Sequence, residues 1–181
     1  MEFQIKPDLQ TYPNFILPKR GSAQAAGLDL FAQEDMIFTE TTELFNLGFR
    51  AAVPEGYVAL IVPRSGLGAK FNMQLSNTMG VIDSDYRGDW MAAFHLGGKG
   101  TKVDTLPPYG QYQKGFYHQG SELWEKANQN EAPMLLVPKG DAFAQVLFFE
   151  VPLMQVTLVD ELPETERGEG GFGSTTKSQS A

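Results

Sequence analysis

The sequence contains no cysteine and only two histidines, His95 and His118. The first absence removes disulfide frameworks, thiolate nucleophiles and thiolate zinc sites, and the second leaves few candidates for an imidazole base. Basic residues are also scarce: 14 Lys and Arg against 22 Asp and Glu give a net charge of −8. Non-specific binding to nucleic acid or to an anionic membrane rests on Lys and Arg neutralising phosphates, so neither partner is expected. No apolar run approaches the roughly 20 residues of a membrane-spanning helix. The start, "MEFQIKPDLQ", lacks the basic and apolar regions of a leader. These features read as a soluble, cytoplasmic protein.

What is present is β-rich punctuation in a chain of 181 residues, a length that suits one domain with its own core. The runs "EDMIFTE", "FNLGFRAAV", "VALIVP", "MAAFHL" and "AQVLFFEV" are separated by turn residues such as "PEGY". With 19 Gly and 11 Pro, little room is left for long helices. The spacing predicts an all-β sandwich or barrel. One segment, from 97 to 132, breaks the rhythm: it has few aliphatic residues but holds Tyr109, Tyr112, Phe116, Tyr117 and Trp124. A short helix over "SELWEKANQ", capped by Ser121, fits part of it. The segment reads either as a surface elaboration packing its own aromatics or as a patch for a protein partner.

A glycine cluster stands near the end, "RGEGGFGSTTK", 167–177. Gly168, Gly170 and Gly173 satisfy the dinucleotide fingerprint, and Gly168 and Gly173 have the spacing of a Walker A loop. Both loops require a following helix, yet only eight residues follow Gly173, and Ser174 stands where the Walker lysine belongs. The underlying physics survives: glycine amides can form an anion-binding nest, Arg167 adds a permanent charge, and Ser174, Thr175 and Thr176 add hydroxyls. Phe172 supplies a ring on which a base can stack. The combination suggests a nucleotide.

Four other stretches carry candidate chemistry. "VPRSGLGAK" follows an apolar strand and offers Arg64, Ser65 and Gly66 to a phosphate; its plain alternative is a surface turn built by Pro63 and Gly66. A serine hydrolase is a poor fit, since Ser65 is not in G-x-S-x-G. In "GVIDSDYRGDW", Asp83 and Asp85 share a face if "VID" is strand. They read as turn formers and partners for Arg87, or one is a general base that deprotonates water. Tyr86 beside them suits sugar packing. In "AAGLDLFA", Asp29 begins a strand and offers one carboxylate to magnesium, an ion held by one or two carboxylates plus phosphates. "KGDAFAQVLFF" reads as a turn entering a buried strand; Gln145, its one amide, is a phosphate ligand or an edge-strand glutamine facing water.

In order, "AGLDLFA", "PRSGLGAK", "GVIDSDYRGD", "GDAFAQVLF" and "RGEGGFGST" resemble the five motifs of the trimeric dUTPase family, from Ala26 to Thr175. The resemblance implies a distorted jelly-roll β-barrel assembled as a homotrimer, with active sites shared between subunits. It implies Mg2+-dependent hydrolysis of dUTP to dUMP and pyrophosphate, which keeps uracil out of DNA and supplies dUMP. By the same resemblance, Asp83 activates the water that attacks the α-phosphorus, and Tyr86 lies under deoxyribose. Arg64, Ser65 and Gly66 bind phosphate oxygens from a neighbouring subunit, Gln145 joins them, and Asp29 holds the magnesium through its waters. Arg167 and Ser174, with Gly173 between Phe172 and Ser174, grip the γ-phosphate while Phe172 closes over uracil as a mobile arm, about 164–181, orders. Asn77 and the backbone near Gly80 read the uracil edge.

Two departures from the family pattern stand out. The stretch between Asp83 and Gln145 is longer than usual, so 97–132 looks like an insertion of the kind some phage-encoded members use to bind regulatory proteins; such a member works in the host cytoplasm. The fourth motif also lacks a basic residue before its "AQ" pair. The rival readings are a dCTP deaminase-type enzyme of the same superfamily, whose glutamate is replaced here by Ala93, and a nucleotide-binding regulator acting through the insertion.

Overall fold

The computed structural model describes residues 2–97 and 134–170. The expected helix at Ser121, most of segment 97–132, and Phe172, Gly173 and Ser174 lie outside the described residues. Among the described residues, ten strands and one short helix follow each other: β1 Gln4–Pro7, β2 Leu28–Phe31, β3 Met36–Thr39, β4 Glu43–Ala52, β5 Tyr57–Pro63, α1 Ser65–Phe71, β6 Met73–Leu75, β7 Gly80–Ile82, β8 Asp89–Leu96, β9 Met134–Val137 and β10 Ala142–Glu150. They form two four-stranded sheets, β1-β4-β8-β6 and β2-β10-β5-β7, and a two-stranded sheet, β3-β9. Every pairing is antiparallel. The expected all-β architecture is present, as a distorted jelly roll.

Alternation along the strands explains the layering. On β8, Trp90, Ala92, Phe94 and Leu96 are buried while Met91 points out, the period of two that a half-buried strand demands. The inward residues of both large sheets meet in one core, with Phe38, Phe94 and Phe143 in mutual ring contact at its middle. Trp90 is fully buried against Phe3 and Phe49, and its indole Nε1 has no hydrogen-bond partner among the described residues. Burying one such ring contributes about 1.5–3 kcal/mol.

β4 pairs with both β1 and β8 and is irregular at its centre, between Asn46 and Arg50. There Gly48 takes φ +82, its amide donating to Asn46 Oδ1 at 2.8 Å; a Cβ would stand 3.0 Å from Tyr12 and from Gln33. Only glycine meets both the conformation and the close approach.

After β10 the chain leaves the sheets. Residues 151–169 are exposed throughout and carry Leu153, Val156, Leu158 and Leu162 at 82% exposure or more. Among the described residues, no helix is long and apolar enough to cross a membrane.

Candidate active site

Strand register brings three of the sequence candidates together. Asp29 on β2 lies opposite Gln145 on β10, and Gln145 lies opposite Val62 on β5, two residues before Arg64. Arg64 keeps an extended backbone (φ −75, ψ 136) as it caps α1. Its guanidinium donates to the Ala142 carbonyl at 3.4 Å, and its Nε lies 3.5 Å from Asp29 Oδ1. Gly27 allows β10 to come this close: a Cβ there would stand 3.0 Å from Gln145 Oε1 and 3.1 Å from the Val146 carbonyl.

Two sequence readings are corrected here. The stretch "RSGLGAKF" is not a surface turn, since 65–71 forms the helix α1. Gln145 is not on an edge strand, because β10 runs between β2 and β5 and the side chain is half-buried. The apolar run around Gln145 marks a strand inside a sheet rather than at its rim.

Beside Arg64 a cavity of about 360 Å³ opens, lined by Ser65, Gly66, Lys70 and Phe71 among others, with no acid on its wall. A Cβ on Gly66 would meet nothing within 4 Å, so the glycine leaves room that a ligand can use. Lys70 is the residue that sequence reasoning passed over. Once 65–71 is known to be helical, Gly66 and Lys70 are four apart and share a face, which is the signal that locates it. Two cations and a hydroxyl on an acid-free wall, in a chain of net charge −8, suit an anion.

The other candidates gather elsewhere. β7 pairs with β5 in the register Ala59↔Ile82 and Ile61↔Gly80. Gly80 sits close to β5, where a Cβ would be 3.1 Å from Ile61 Cβ. Asp83 lies just past the end of β7, in a turn closed by the Tyr86 amide donating to the Asp83 carbonyl at 3.2 Å. "VID" is therefore not strand to its last residue, and Asp83 and Asp85 do not share a strand face; both are exposed on the turn. Arg87 does not pair with them. It donates instead to the carbonyls of Ser84, at 2.7 Å, and Tyr86, at 2.9 Å.

Tyr86 is 43% exposed, and its hydroxyl donates to the Asp89 carbonyl at 3.0 Å. The Asp89 carboxylate in turn accepts two hydrogen bonds from Arg50, which hold its pKa below the ordinary carboxylate value. Asn77 is exposed on the turn between β6 and β7, its carboxamide without a hydrogen-bond partner among the described residues. Arg167 is exposed, and its Nε donates to the Gly170 carbonyl at 2.8 Å within a turn where Gly168 has φ +52.

The two groups of residues stand at opposite ends of β5. Asp83 follows Ile82, which lies opposite Ala59 near the start of β5, whereas Arg64 follows Pro63 at its other end, about six residues away along the strand direction. At about 3.3 Å per residue that is roughly 20 Å. For a metal, no cluster of three or more His, Asp or Glu exists among the described residues. A single carboxylate, Asp29, beside an anion cavity fits an ion that also takes phosphate oxygens and water, as magnesium does.

The jelly roll thus carries an acid-free cationic cavity at one end of β5 and an exposed carboxylate beside an aromatic turn at the other. The dUTPase family model matches residues 13–98 and 127–176. A deoxyuridine 5'-triphosphate nucleotidohydrolase of Wolinella succinogenes is 33% identical over 171 residues, covering 94% of this chain and 93% of its own. Among solved structures, a mutant dUTPase of Staphylococcus bacteriophage 80alpha with dUpNHpp superposes with a TM-score of 0.70 at 22% identity, covering 96% of this chain and 97% of that one. A mutant dUTPase of phage phi11 of S. aureus, described with a structural Mg(II) ion, has a TM-score of 0.66 at 19% identity, covering 89% and 98%. The phage structures share the fold. The chain belongs to the dUTPase family, a family of dUTP diphosphatases. The matched ranges leave out 99–126, which falls within the stretch expected to be an insertion.

Proposed function

We propose that this chain hydrolyses dUTP to dUMP and pyrophosphate at sites shared between copies of itself, assembled as a homotrimer in the cytoplasm, and so keeps uracil out of DNA and supplies dUMP. The observation that carries the shared site is the separation of Asp83 from Arg64. A general base acts through water within about 3 Å of the attacked atom. A residue roughly 20 Å away along the same strand cannot bind that nucleotide's phosphates. One copy then supplies the uridine end and the base, and another supplies Arg64, Ser65, Gly66 and Gln145. The exposed apolar residues of 151–162 support assembly, since so large an uncovered patch is what a second copy buries.

In this reading Asp83 takes a proton from water, whose oxygen attacks the α-phosphorus as pyrophosphate leaves. Tyr86 lies against the deoxyribose, while Asn77 and the backbone at Gly80 meet the uracil edge. Arg64, Gln145 and the cavity beside α1, including Lys70, hold the phosphates. Arg167, Gly173 and Ser174 reach the γ-phosphate, and Phe172 stacks on the base when the arm orders. Asp29 is the residue that would hold Mg2+ through water, and the ion would neutralise charge on the triphosphate. The domain is single, 1–181, interrupted by an insertion at about 97–132. Deamination lacks its acid: Ala93 stands in the glutamate's place and lies opposite Leu44 on β4.

The test is pyrophosphate release from dUTP, dTTP, dCTP and UTP, each with and without Mg2+. Release from dUTP that depends on the metal, with little from the others, supports the reading; a rate on dUTP no higher than in buffer removes it.

A further inference from the structure

Three side chains from three parts of the fold meet at the foot of the turn that carries Asn77. Thr42 Oγ1 lies 2.8 Å from Ser76 Oγ, and Ser76 Oγ lies 2.9 Å from His95 Nδ1. Thr42 directly precedes β4, Ser76 directly follows β6, and His95 stands on the outward face of β8 opposite Gln74. A serine hydroxyl has one proton and two lone pairs. Ser76 can therefore donate to an unprotonated Nδ1 and accept from Thr42 at the same time, leaving no member of the chain unsatisfied.

The turn above this point has little else to fix it. Ser76, Asn77, Thr78 and Met79 are all exposed. Its backbone is held by Ser76 N to Ala93 O at 2.9 Å, Thr78 N to Leu75 O at 2.9 Å, and Met79 N to Asn77 O at 2.7 Å. Thr78 sits at φ +69, an uncommon conformation for a β-branched residue that surrounding contacts must maintain. Within 76–79, the Ser76 hydroxyl is the side-chain anchor, and it is fixed from both sides.

We propose that Thr42 and His95, acting through Ser76, are positioning residues for the turn 76–79 and set how tightly the uridine end of the nucleotide is bound. The inference rests on the reading of Asn77 and Gly80 as the groups that meet the base. It assigns no contact with substrate to Thr42, Ser76 or His95. It differs from a purely structural hydroxyl cluster in what it affects: the base-reading turn is tuned, whereas the phosphate cavity at the far end of β5 is not.

The experiment measures dUMP and pyrophosphate binding separately, by calorimetry, for the wild type, Ser76→Ala, His95→Ala, the double variant and His95→Asn, with thermal midpoints alongside. Losing one hydrogen bond to the turn is expected to weaken dUMP by about five- to tenfold, with pyrophosphate affinity and the midpoint unchanged. The double variant should be no weaker than either single one, because both act through one hydroxyl. His95→Asn, which can place an amide near the position of Nδ1, should recover dUMP binding to within about twofold of wild type. The proposal is overturned if both alanine variants bind dUMP as the wild type does, or if dUMP and pyrophosphate weaken together. Wild-type protein that binds pyrophosphate but no dUMP would remove the uridine reading itself, and this inference with it.

Discussion

Arg64 follows the end of β5, whereas Asp83 follows the end of β7, the antiparallel partner of β5, so the two point to opposite limits of one strand pair. Arg64→Ala and Asp83→Asn chains should each be inactive alone. Refolded together in equal amounts, they should recover about a quarter of the wild-type rate, the share of shared sites that draw an intact Asp83 from one chain and an intact Arg64 from another. A mixture as inactive as its components would place both residues in one site on one chain.

Asp83→Asn keeps the size and polarity of the side chain but cannot take a proton from water. Turnover of dUTP should fall by about 10²- to 10⁴-fold, the usual contribution of a positioned base. Affinity for a non-hydrolysable dUTP analogue should hold. Steady-state rates and calorimetric titration on the same preparation check both halves, and a near wild-type rate would take the role of base from Asp83.

Deleting 168–181 removes the glycine cluster and Phe172 but touches no strand among the described residues, where β10 is the last and ends at Glu150. The truncated chain should melt at the wild-type temperature and turn over dUTP poorly. Full activity after the deletion would show that the ring and the glycines take no part.

Acid should weaken the Arg50–Asp89 pair beside Tyr86. Hydrogen bonds from Arg50 lower the pKa of Asp89, whose carbonyl holds the Tyr86 hydroxyl. A carboxylate with a lowered folded-state pKa contributes stability above its unfolded value, near 3.9, and loses it as the pH falls through the folded value. The thermal midpoint of wild type should therefore exceed that of Asp89→Asn at neutral pH, and the gap should close as the pH falls below about 4. A gap that stays constant down to the lowest pH would mean that the pair adds nothing through ionisation.

The strands that alternate strongly were legible in the sequence, and the five longest expected runs all coincide with strands. The short ones were not: β6 and β7 have three residues each, too few to show a period. Helix α1 was hidden because two glycines in seven residues argue against helix, and Pro63 and Gly66 read as a turn. At the candidate site, the residue types were readable one by one, while their division between the two ends of β5 was not. That division depends on which strand lies opposite which, a long-range fact that local pattern does not carry. Gln145 shows the same limit: the apolar run around it placed it in a strand, and only the sheet order placed that strand between two others.

The indole of Trp90 lies against Phe3 and Phe49, its Nε1 without a hydrogen-bond partner among the described residues, one residue after the aspartate that holds Tyr86. The sequence has two tryptophans, so Trp124→Phe would leave Trp90 as the single indole emitter. A dry indole that donates no hydrogen bond fluoresces at short wavelength and shifts strongly when water or a polar group reaches it. Nucleotide arrival at the neighbouring turn could then be followed optically, without a label.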